Sequence, residues 1–457
     1  MTASSLPDGP LVAFYGDDYT GSSAAMEALA FAGLPTILFL EQPTPQRLAE
    51  AAGFRGIGIA GTARAQDNPW MDRNLPSIFR TLAAIGAPIS HYKACSTFDS
   101  APHIGSIGRA VDLAIPHLGG EWHPMIVASP AMGRYQAFGN LFATVDGVSH
   151  RLDRHPTMSR HPVTPMDEAD LGRHLARQTR RTIGLVDFVA MATGRADQAL
   201  RMQRTNGAEI ISLDVLDQKS LEQAGRLVWE CRGERLFAVG SQGVEQALVA
   251  YWQSAGLIEK SAPSPGFAAV ERMACISGSC SPVTSGQIAY AENHGFETIP
   301  IDATRAVAAS AWQTEIERGA RIALDALSGG RDPLLVTARG VDDPAIGALR
   351  TAVETSGSSL GEVNARIGSG LGRALNRILE SARLQRVVVA GGDTSGHAVK
   401  ELNMHALSAI AALAPGAPLC RASSASPASA IEIVLKGGQV GQADLFCVAR
   451  NGHGGAG

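Results

Sequence analysis

A continuous apolar run turns at two glycines into a helix-like segment in the stretch Val387-Val388-Val389-Ala390-Gly391-Gly392-Asp393-Thr394-Ser395-Gly396-His397-Ala398-Val399-Lys400. Such a run is typical of a buried parallel strand, and glycines at its carboxyl end let the backbone approach a ligand closely. Thr394 and Ser395 stand where a helix presents its N-cap and its unpaired amides, which attract phosphate or carboxylate. The alternative interpretation is an ordinary glycine-rich turn. The stretch predicts an α/β fold with an anion site at a strand end.

Two more turns of this kind follow predicted strands in the second half of the chain. One is Ser277-Gly278-Ser279-Cys280-Ser281, with Pro282 where the first turn of a helix tolerates proline. The other is Lys436-Gly437-Gly438-Gln439-Val440-Gly441. The pattern of Walker NTPases, Gly-x-x-x-x-Gly-Lys-Ser/Thr, is absent from the sequence. Three weakly charged turns of small residues favour a nucleotide on this half.

Length and composition agree with an α/β protein of more than one domain. A chain of 457 residues is too long for one ordinary domain. Its 50 glycines and 45% hydrophobic residues, only 5% of the chain being aromatic, suit glycine turns that join parallel strands to helices. The formal net charge of -4 gives no polyanion-binding signature, so we expect no nucleic acid and no membrane partner.

We therefore predict two domains, each a largely parallel sheet flanked by helices, with a cleft between them. The segment 256–268 contains serines and prolines without an apolar period, which indicates a linker. The predicted organisation is a flexible N-terminus at 1–10, a substrate domain at 11–255 and a nucleotide domain at 269–457. How subunits would associate is not specified by the sequence, so a homo-oligomer stays open.

The cysteines and the N-terminus predict a cytoplasmic protein. The six cysteines are scattered, and the close pair Cys275 and Cys280 lacks the spacing of a zinc or redox site. The first residues show no basic region followed by an apolar one, and no apolar run reaches 18 residues. We expect reduced thiols and no export or anchoring.

Adjacent carboxylates follow the first predicted strand, Leu11–Tyr15. Asp17 and Asp18 precede a predicted helix whose dipole would stabilise them, whereas a phosphate there would be repelled. They suit a hydroxyl group or a metal ion. The alternative is that one of them is merely the helix N-cap.

Further charged and hydroxyl side chains follow later strands of the first half. The carboxyl ends of parallel strands share one edge of a sheet, where α/β sites gather. An arginine beside a glycine turn is suited to bidentate binding of a carboxylate. A solvated loop is the alternative for each group. The residues concerned are Arg64, Lys93, Ser96, Asp99 and Arg134.

Seven short blocks along the chain, together with its last glycine turn, resemble the four-carbon acid sugar kinases, a family long described as one of unknown function that includes 3-oxo-tetronate kinase and D-threonate kinase. The resemblance spans nearly the whole chain. The blocks begin with Gly16-Asp17-Asp18-Tyr19-Thr20-Gly21, Tyr92-Lys93-Ala94-Cys95-Ser96-Thr97-Phe98-Asp99-Ser100, Gly133-Arg134 and His161-Pro162-Val163-Thr164-Pro165-Met166. They continue with Gly240-Ser241-Gln242-Gly243, Ser277-Gly278-Ser279-Cys280-Ser281, Gly391-Gly392-Asp393-Thr394-Ser395 and finally Lys436-Gly437-Gly438-Gln439-Val440-Gly441.

The resemblance implies ATP-dependent phosphorylation of a four-carbon sugar acid of the threonate, erythronate or 3-oxo-tetronate type, usually at the terminal hydroxyl. It implies the acid on the first domain and ATP on the second. The implied substrate contacts are Arg64, Lys93, Ser96, Asp99 and Arg134, and the implied nucleotide contacts are Ser279, Gly391, Gly392, Asp393, Thr394, Ser395, and Gly438 or Gly441. We assign the catalytic base to Asp18 or Asp17, because the motif puts two carboxylates beside a helix start. We also expect Mg²⁺ to accompany the nucleotide, with Asp393 as the nearby carboxylate.

Two positions depart from the pattern of the family next to the implied acid site. Ala24 stands where many members have aspartate, and Ser106 stands in a block that often reads Gly-Asn-Ile-Gly. These departures bear on which acid is used. Alternative functions are a kinase of a different hydroxy acid and a non-catalytic small-anion binding protein. A hydroxyacid dehydrogenase is disfavoured because no Gly-x-Gly-x-x-Gly with a following acidic residue stands in a β–α context.

Overall fold

The computed structural model describes residues 5–145, 147–161, 163–260, 266–424 and 431–453, and of Asp393 and Ser424 the backbone alone. The chain divides into two compact units, residues 1–261 and 262–457. The linker predicted at 256–268 lies partly outside the described residues, as does Pro162 of the fourth block.

The first unit alternates strands and helices along most of its length. Its strands are β1 (Val12–Gly16), β2 (Thr36–Phe39), β3 (Gly56–Ala60), β4 (Ile89–Lys93), β5 (His123–Ile126), β6 (Arg134–Ala137), β7 (Asn140–Val145), β8 (Val148–Arg151), β9 (Ile183–Val186), β10 (Ile210–Leu213) and β11 (Leu236–Gly240). Its helices are α1 (Tyr19–Ala30), α2 (Pro45–Glu50), α3 (Asn68–Ile85), α4 (Ile107–Leu118), α5 (Leu171–Ala176), α6 (Phe188–Ala192), α7 (Ala196–Thr205), α8 (Gln218–Glu230) and α9 (Gly243–Ser254).

The main sheet of this unit is parallel, with the strand order β2-β3-β1-β4-β11-β5-β10-β9. The chain leaves β1 toward β2 and β3 on one side and returns to β4 on the other. The point between β1 and β4 is thus a topological switch point, where ligands of open α/β sheets bind. Buried residues of β1 and β4 pack with α3 and α4 in an apolar core that includes Tyr15, Tyr92 and Phe79.

Strands β6, β7 and β8 form a separate antiparallel sheet beside the main one. The turn between β6 and β7 is held by Asp214, which follows β10. Its carboxylate accepts hydrogen bonds from the amides of Gly139 at 3.0 Å and Phe188 at 2.9 Å, and from the side chain of Gln136 at 3.0 Å. This small sheet carries Arg134 at its start.

The second unit has strands β12 (Ala274–Ser277), β13 (Phe296–Pro300), β14 (Asp332–Val336), β15 (Arg386–Ala390), β16 (Met404–Ala414), β17 (Ala417–Ser424) and β18 (Glu432–Lys436). Its helices are α10 (Pro282–Glu292), α11 (Ala309–Ser328), α12 (Pro344–Ser356), α13 (Leu360–Ala382), α14 (Gly392–Ala398) and α15 (Leu445–Asn451). The order β13-β14-β12-β15-β18 is parallel, and β17 and β16 continue it as antiparallel strands.

The fold class expected from the sequence is confirmed: the chain is an α/β protein with a largely parallel sheet in each unit. Helix α5 is capped by Asp170, whose carboxylate accepts from the amide of Arg173. The antiparallel pair β16 and β17 was not predicted, because its alanine-rich sequence has no clear alternation.

The structure also describes the state of the cysteines and the apolar character of the helices. The structure describes all six cysteines, and each is a free thiol. None of the helices in the described part of the chain combines the length and the apolar character needed to cross a bilayer.

Candidate functional site

The first cluster of polar side chains lies at the switch point between β1 and β4. Gly16 pairs with Ala60 on one side and with Lys93 on the other, so the ends of β1, β3 and β4 are level. Asp18 is the N-cap of α1, and its Oδ1 accepts from the amide of Gly21 at 2.9 Å. The structure thus brings the carboxylates, Arg64 and Lys93 to one sheet edge.

Asp18 is held by two cations. Nη1 of Arg64 lies 3.3 Å from Oδ2 of Asp18, and Nζ of Lys93 lies 3.6 Å from Oδ1. Burial alone would raise the pKa of Asp18, but Lys93 and Arg64 outweigh it and lower the pKa below its ordinary value. Asp18 is therefore ionised at neutral pH, and its side chain is 18% exposed at the edge of the cluster.

Arg64 also holds Asp99. Its Nη2 donates to Oδ2 of Asp99 at 2.7 Å, so one guanidinium bridges two carboxylates. Asp99 is fully buried and accepts further hydrogen bonds from Thr97 at 2.5 Å and Thr164 at 3.3 Å. Burial would raise the pKa of Asp99, but Arg64 and the hydrogen bond from Thr97 hold it well below its usual range.

Asp17 differs from its neighbour in forming no ion pair with any described residue. Its Oδ1 is buried without a hydrogen-bond partner among the described residues, and so are the hydroxyls of Tyr15 and Tyr92. Burial, reinforced by the charge of Asp18, raises the pKa of Asp17 to about 7. Unsatisfied buried polar groups are rare in folded proteins and cluster at sites with a functional role.

Arg134 and Ser96 form no hydrogen bond or ion pair with Asp17, Asp18 or Asp99 in the described part of the chain. Nη1 of Arg134 donates to the backbone oxygens of Met132 at 3.1 Å and Gly133 at 3.3 Å, while its buried Nε has no partner. No carboxylate of the described residues forms an ion pair with Arg134, and burial lowers its pKa. This cation therefore has donors available for an anion. Ser96 is partly exposed in the loop after β4.

Sequence reasoning missed several residues of this cluster. Thr97 and Thr164 bind Asp99 directly, although both stand inside the blocks quoted above. Gly21 is required by close packing, because a Cβ built there would lie 1.7 Å from Nζ of Lys93. The only sequence feature that could have identified these residues is that they lie within the blocks shared with the family.

Ser106 has a structural role that the sequence did not reveal. Its hydroxyl caps α4 by accepting from the amide of Arg109 at 3.1 Å. It also contacts Gln178, which in turn donates to Ser100 at 2.8 Å. Ser106 thus reaches the segment after Asp99 through a chain of hydrogen bonds, while Ala24 is buried within α1.

In the second unit the three glycine turns follow the neighbouring strands β12, β15 and β18. The amide of Gly278 donates to Ala390 at 3.1 Å, and that of Gly391 donates to Lys436 at 2.9 Å. Gly391 has a φ of 118° that disfavours other residues, and a Cβ there would lie 3.4 Å from the amide nitrogen of Ser279. Three turns that are distant in sequence thus form one surface of small residues.

The turns are tied together at Gly438. Its carbonyl accepts from the hydroxyl of Ser281, which caps α10, and from Oγ1 of Thr284 at 2.9 Å. A Cβ at Gly438 would lie 2.8 Å from Oγ of Ser279. Ser279 and Gly438 therefore face each other.

The other residues predicted to contact the nucleotide have different structural roles. Oγ of Ser395 donates to the carbonyl of Gly391 at 2.7 Å, and Oγ1 of Thr394 would be 2.1 Å from a Cβ at Gly278. Close packing explains the glycine at position 441, since a Cβ there would lie 2.1 Å from Leu445. Gly392 and Asp393 begin α14. The carboxylate of Asp393 lies outside what the structure describes.

Comparison with known proteins matches each unit to a family model. A model of a sugar-binding N-terminal domain covers residues 12–248, and a model of a nucleotide-binding C-terminal domain covers residues 274–446. The chain is 48% identical over 452 residues to the 3-oxo-isoapionate kinase of Paraburkholderia graminis, covering 99% of this chain and 96% of that one. The chain belongs to the four-carbon acid sugar kinase family.

Other family members are more distant. The 3-oxo-tetronate kinase of Methylobacterium radiotolerans is 31% identical over 94% of this chain and 96% of its own. That of Cupriavidus necator is 28% identical over 98% of both chains. Two crystal structures share the fold: a Salmonella typhimurium LT2 protein provisionally named a tRNA synthase (TM-score 0.75, 22% identity) and a Haemophilus influenzae protein (TM-score 0.69, 23%). Each covers 96% of this chain and 98% of its own.

Membership in this kinase family establishes the class of reaction. The chain is a sugar acid kinase, a phosphotransferase that acts on a hydroxyl group, and ATP is its phosphate donor.

Proposed function

We propose that this kinase phosphorylates a 3-oxo sugar acid, with 3-oxo-isoapionate as the first candidate and 3-oxo-tetronate as the second. The observation that carries the proposal is the 48% identity to a 3-oxo-isoapionate kinase over 99% of the chain, against 31% to a 3-oxo-tetronate kinase. Threonate and erythronate, which lack the ketone, are third. The departures at Ala24 and Ser106 agree with a substrate other than the simplest four-carbon acids.

The acid is proposed to bind at the switch point of the first unit. Arg134 has no acidic partner among the described residues and would take the carboxylate of the substrate. Lys93 and Arg64 would bind its oxygens, and Ser96 would contribute a hydroxyl contact. Asp99 orients Arg64 through the 2.7 Å ion pair. Lys93 ends β4 and Arg134 begins β6, whereas Arg64 follows β3 and both Ser96 and Asp99 lie in the loop after β4.

The phosphates of ATP are proposed to bind the glycine turns of the second unit. Ser279, Gly391 to Ser395, and Gly438 supply small residues and hydroxyls on one surface, which supports close approach of a polyanion. Gly441 is proposed to keep the last turn in place through its packing on Leu445.

In the proposed step a hydroxyl oxygen of the acid, usually the terminal one, attacks the γ-phosphorus of ATP. The bond from γ-phosphorus to the bridging oxygen breaks, ADP leaves, and the hydroxyl proton passes to a carboxylate. Phosphoryl transfer depends mainly on positioning and charge stabilisation. We assign the carboxylate to Asp18, the more exposed of the pair, which Arg64 and Lys93 hold in one orientation. Asp17 lies behind it as the alternative acceptor.

Mg²⁺ is proposed to accompany ATP. The described residues contain no cluster of three or more His, Cys, Asp or Glu side chains able to hold a metal. Mg²⁺ keeps several waters and is usually bound by substrate phosphates with one or two carboxylates, so a preformed cage is not required. Asp393 is the proposed carboxylate, and Asp393→Asn should then raise the Mg²⁺ concentration that gives half-maximal activity.

The substrate proposal is tested by coupled ADP release with 3-oxo-isoapionate, 3-oxo-tetronate, threonate and erythronate. We expect the highest kcat/KM with 3-oxo-isoapionate. A higher value with 3-oxo-tetronate would assign the four-carbon acid instead, and activity with threonate alone would refute the requirement for a ketone. Phosphorus NMR of the product would identify the hydroxyl that is modified.

The base assignment is tested by kcat in two single variants. Asp18→Asn should lower kcat by about 10²–10⁴-fold, the usual contribution of a general base. Asp17→Asn should cause a smaller loss. The opposite ranking would assign the proton to Asp17, in which case kcat/KM of the unmodified enzyme should also fall below pH 7, where Asp17 is protonated.

A further inference from the structure

Lys436 is a buried lysine that has no acidic partner among the described residues. It lies at the end of β18, its residue is 0% exposed, and burial lowers its pKa to about 7. Nζ donates to Oγ1 of Thr284 at 2.8 Å, and no ion pair to it exists within the described residues. An ammonium has three donors, so two of them are left without an acceptor among the described residues. Fully buried lysines without a partner are rare because the desolvated charge is costly.

None of the described side chains forms an ion pair with Lys436. Burial is the cause that lowers its pKa. Charged or titratable groups on the elements packed against β18, and on α10, are Glu432 on β18 itself, Arg386 on β15, Arg421 on β17, Asp393 and His397 on α14, and Glu292 on α10. Glu432 pairs with Arg386 at the opposite end of the strand.

The neighbours of Lys436 belong instead to the glycine turns. Its carbonyl accepts a hydrogen bond from the amide of Gly391, and its ammonium donates one to Oγ1 of Thr284. Oγ1 of Thr284 in turn donates a hydrogen bond to the carbonyl of Gly438 at 2.9 Å. We propose that Lys436 is a positioning residue for the nucleotide, which fixes the Gly438 turn on α10 through Thr284 and supplies an uncompensated positive charge for the phosphates.

This inference rests on the proposal that the glycine turns bind ATP. A polyphosphate beside these turns would compensate the charge of Lys436, and in a low-dielectric site that attraction is much stronger than in water. Nucleotide binding would then favour the protonated amine. Above pH 7, where the free protein has a largely neutral Lys436, binding would require uptake of a proton and would weaken as the pH rises.

Calorimetric titration with ADP in Mg²⁺-free buffer is the test. Lys436→Met should bind ADP at least about tenfold more weakly at pH 7, with the KM for the sugar acid unchanged. Between pH 7.5 and 9 the affinity of the unmodified protein should fall, whereas that of Lys436→Met should be flat. Lys400→Met, which removes an exposed lysine of the same unit, is the matched control and should behave as the unmodified protein.

Thr284→Val provides a second variant that keeps the amine but removes the hydroxyl between Lys436 and Gly438. It should weaken ADP binding several-fold and keep the pH dependence. Equal ADP affinity and equal pH profiles in Lys436→Met and the unmodified protein would overturn the proposal. If Lys436→Met does not fold, two other results would overturn the proposal. These are an unchanged ADP affinity in Thr284→Val and an ADP affinity of the unmodified protein that does not depend on pH. If the unmodified protein itself bound no ADP, the proposed nucleotide site would fail instead.

Discussion

Nζ of Lys93 fills the space beside Gly21, where an added Cβ would lie 1.7 Å from it and 2.3 Å from Oδ1 of Asp18. Lys93 is 2% exposed, so its ammonium has little room to move aside. We expect Gly21→Ala to displace Lys93 and Asp18 and to lower kcat/KM by about a hundredfold, because misplacement by about 1 Å can cost that much. Steady-state kinetics with a melting curve would measure this.

Gly53→Ala is the matched control for Gly21→Ala, since a Cβ at Gly53 would meet nothing within 4 Å. It should keep full activity. Wild-type kinetics in Gly21→Ala would show that the position of the Lys93 ammonium does not matter for catalysis.

Arg64 bridges Asp18 and Asp99 through its two terminal nitrogens, at 3.3 Å and 2.7 Å. A lysine keeps the charge but lacks the planar fork needed for both contacts. Arg64→Lys should lower kcat/KM by about 10–100-fold, the equivalent of one charge-assisted hydrogen bond of about 1.5–3 kcal/mol. Arg47→Lys, in the exposed pair with Glu41, is the control and should leave kcat/KM unchanged. An Arg64→Lys enzyme as active as the control would exclude the bridging role.

The sequence predicted the strand ends better than the contacts made there. The run Val387–Ala390 and the carboxylates after β1 are local patterns, and the parallel sheets place them as expected. The bridge from Arg64 to Asp18 and Asp99 joins residues that are 46 and 35 positions apart, so no local pattern contains it.

Burial is the other property that local patterns do not reveal. The sequence suggests an ordinary lysine at position 436, before a glycine turn. Only packing shows that Lys436 is buried with no counter-ion in the described part of the chain. The same holds for the difference between Asp17 and Asp18, which are adjacent in sequence but have opposite pKa shifts. Strands β16 and β17 were missed because their alanine-rich residues are compatible with helix or strand.

Gly278 lies against Thr394, and a Cβ there would be 2.1 Å from its Oγ1. Gly278→Ala should therefore push apart the turns after β12 and β15. We expect the KM for ATP to rise at least about tenfold while the KM for the sugar acid stays constant. Gly286→Ala in α10, where a Cβ meets nothing within 4 Å, is the matched control. Equal changes in both KM values would contradict a local effect on the nucleotide turns.

Asp17 should make stability depend on pH in a defined direction. Its folded pKa of about 7 is above the unfolded value of about 3.9, so between these values the folded chain holds a proton that the unfolded chain has lost. Stability contributed by this proton is complete below pH 4 and is lost as the pH rises through 7. Asp17→Asn removes the titration, so the variant should gain stability relative to the unmodified protein between pH 5 and pH 8.

The size of that gain is set by the roughly two pH units between pH 5 and the folded pKa of about 7, so at about 1.4 kcal/mol per unit it reaches about 3 kcal/mol. The free energy of unfolding of both proteins is measured at pH 5 and at pH 8. The gain is the change, between these two pH values, in the difference between the variant and the unmodified protein. Any constant cost of burying the amide cancels in this comparison. Asp8→Asn, at an exposed position of the N-terminal segment, should show no such change. A difference between Asp17→Asn and the unmodified protein that stayed constant from pH 5 to pH 8 would mean that Asp17 is ionised in the fold across this range. Asp17 would then be available as a base at every pH at which the enzyme is assayed.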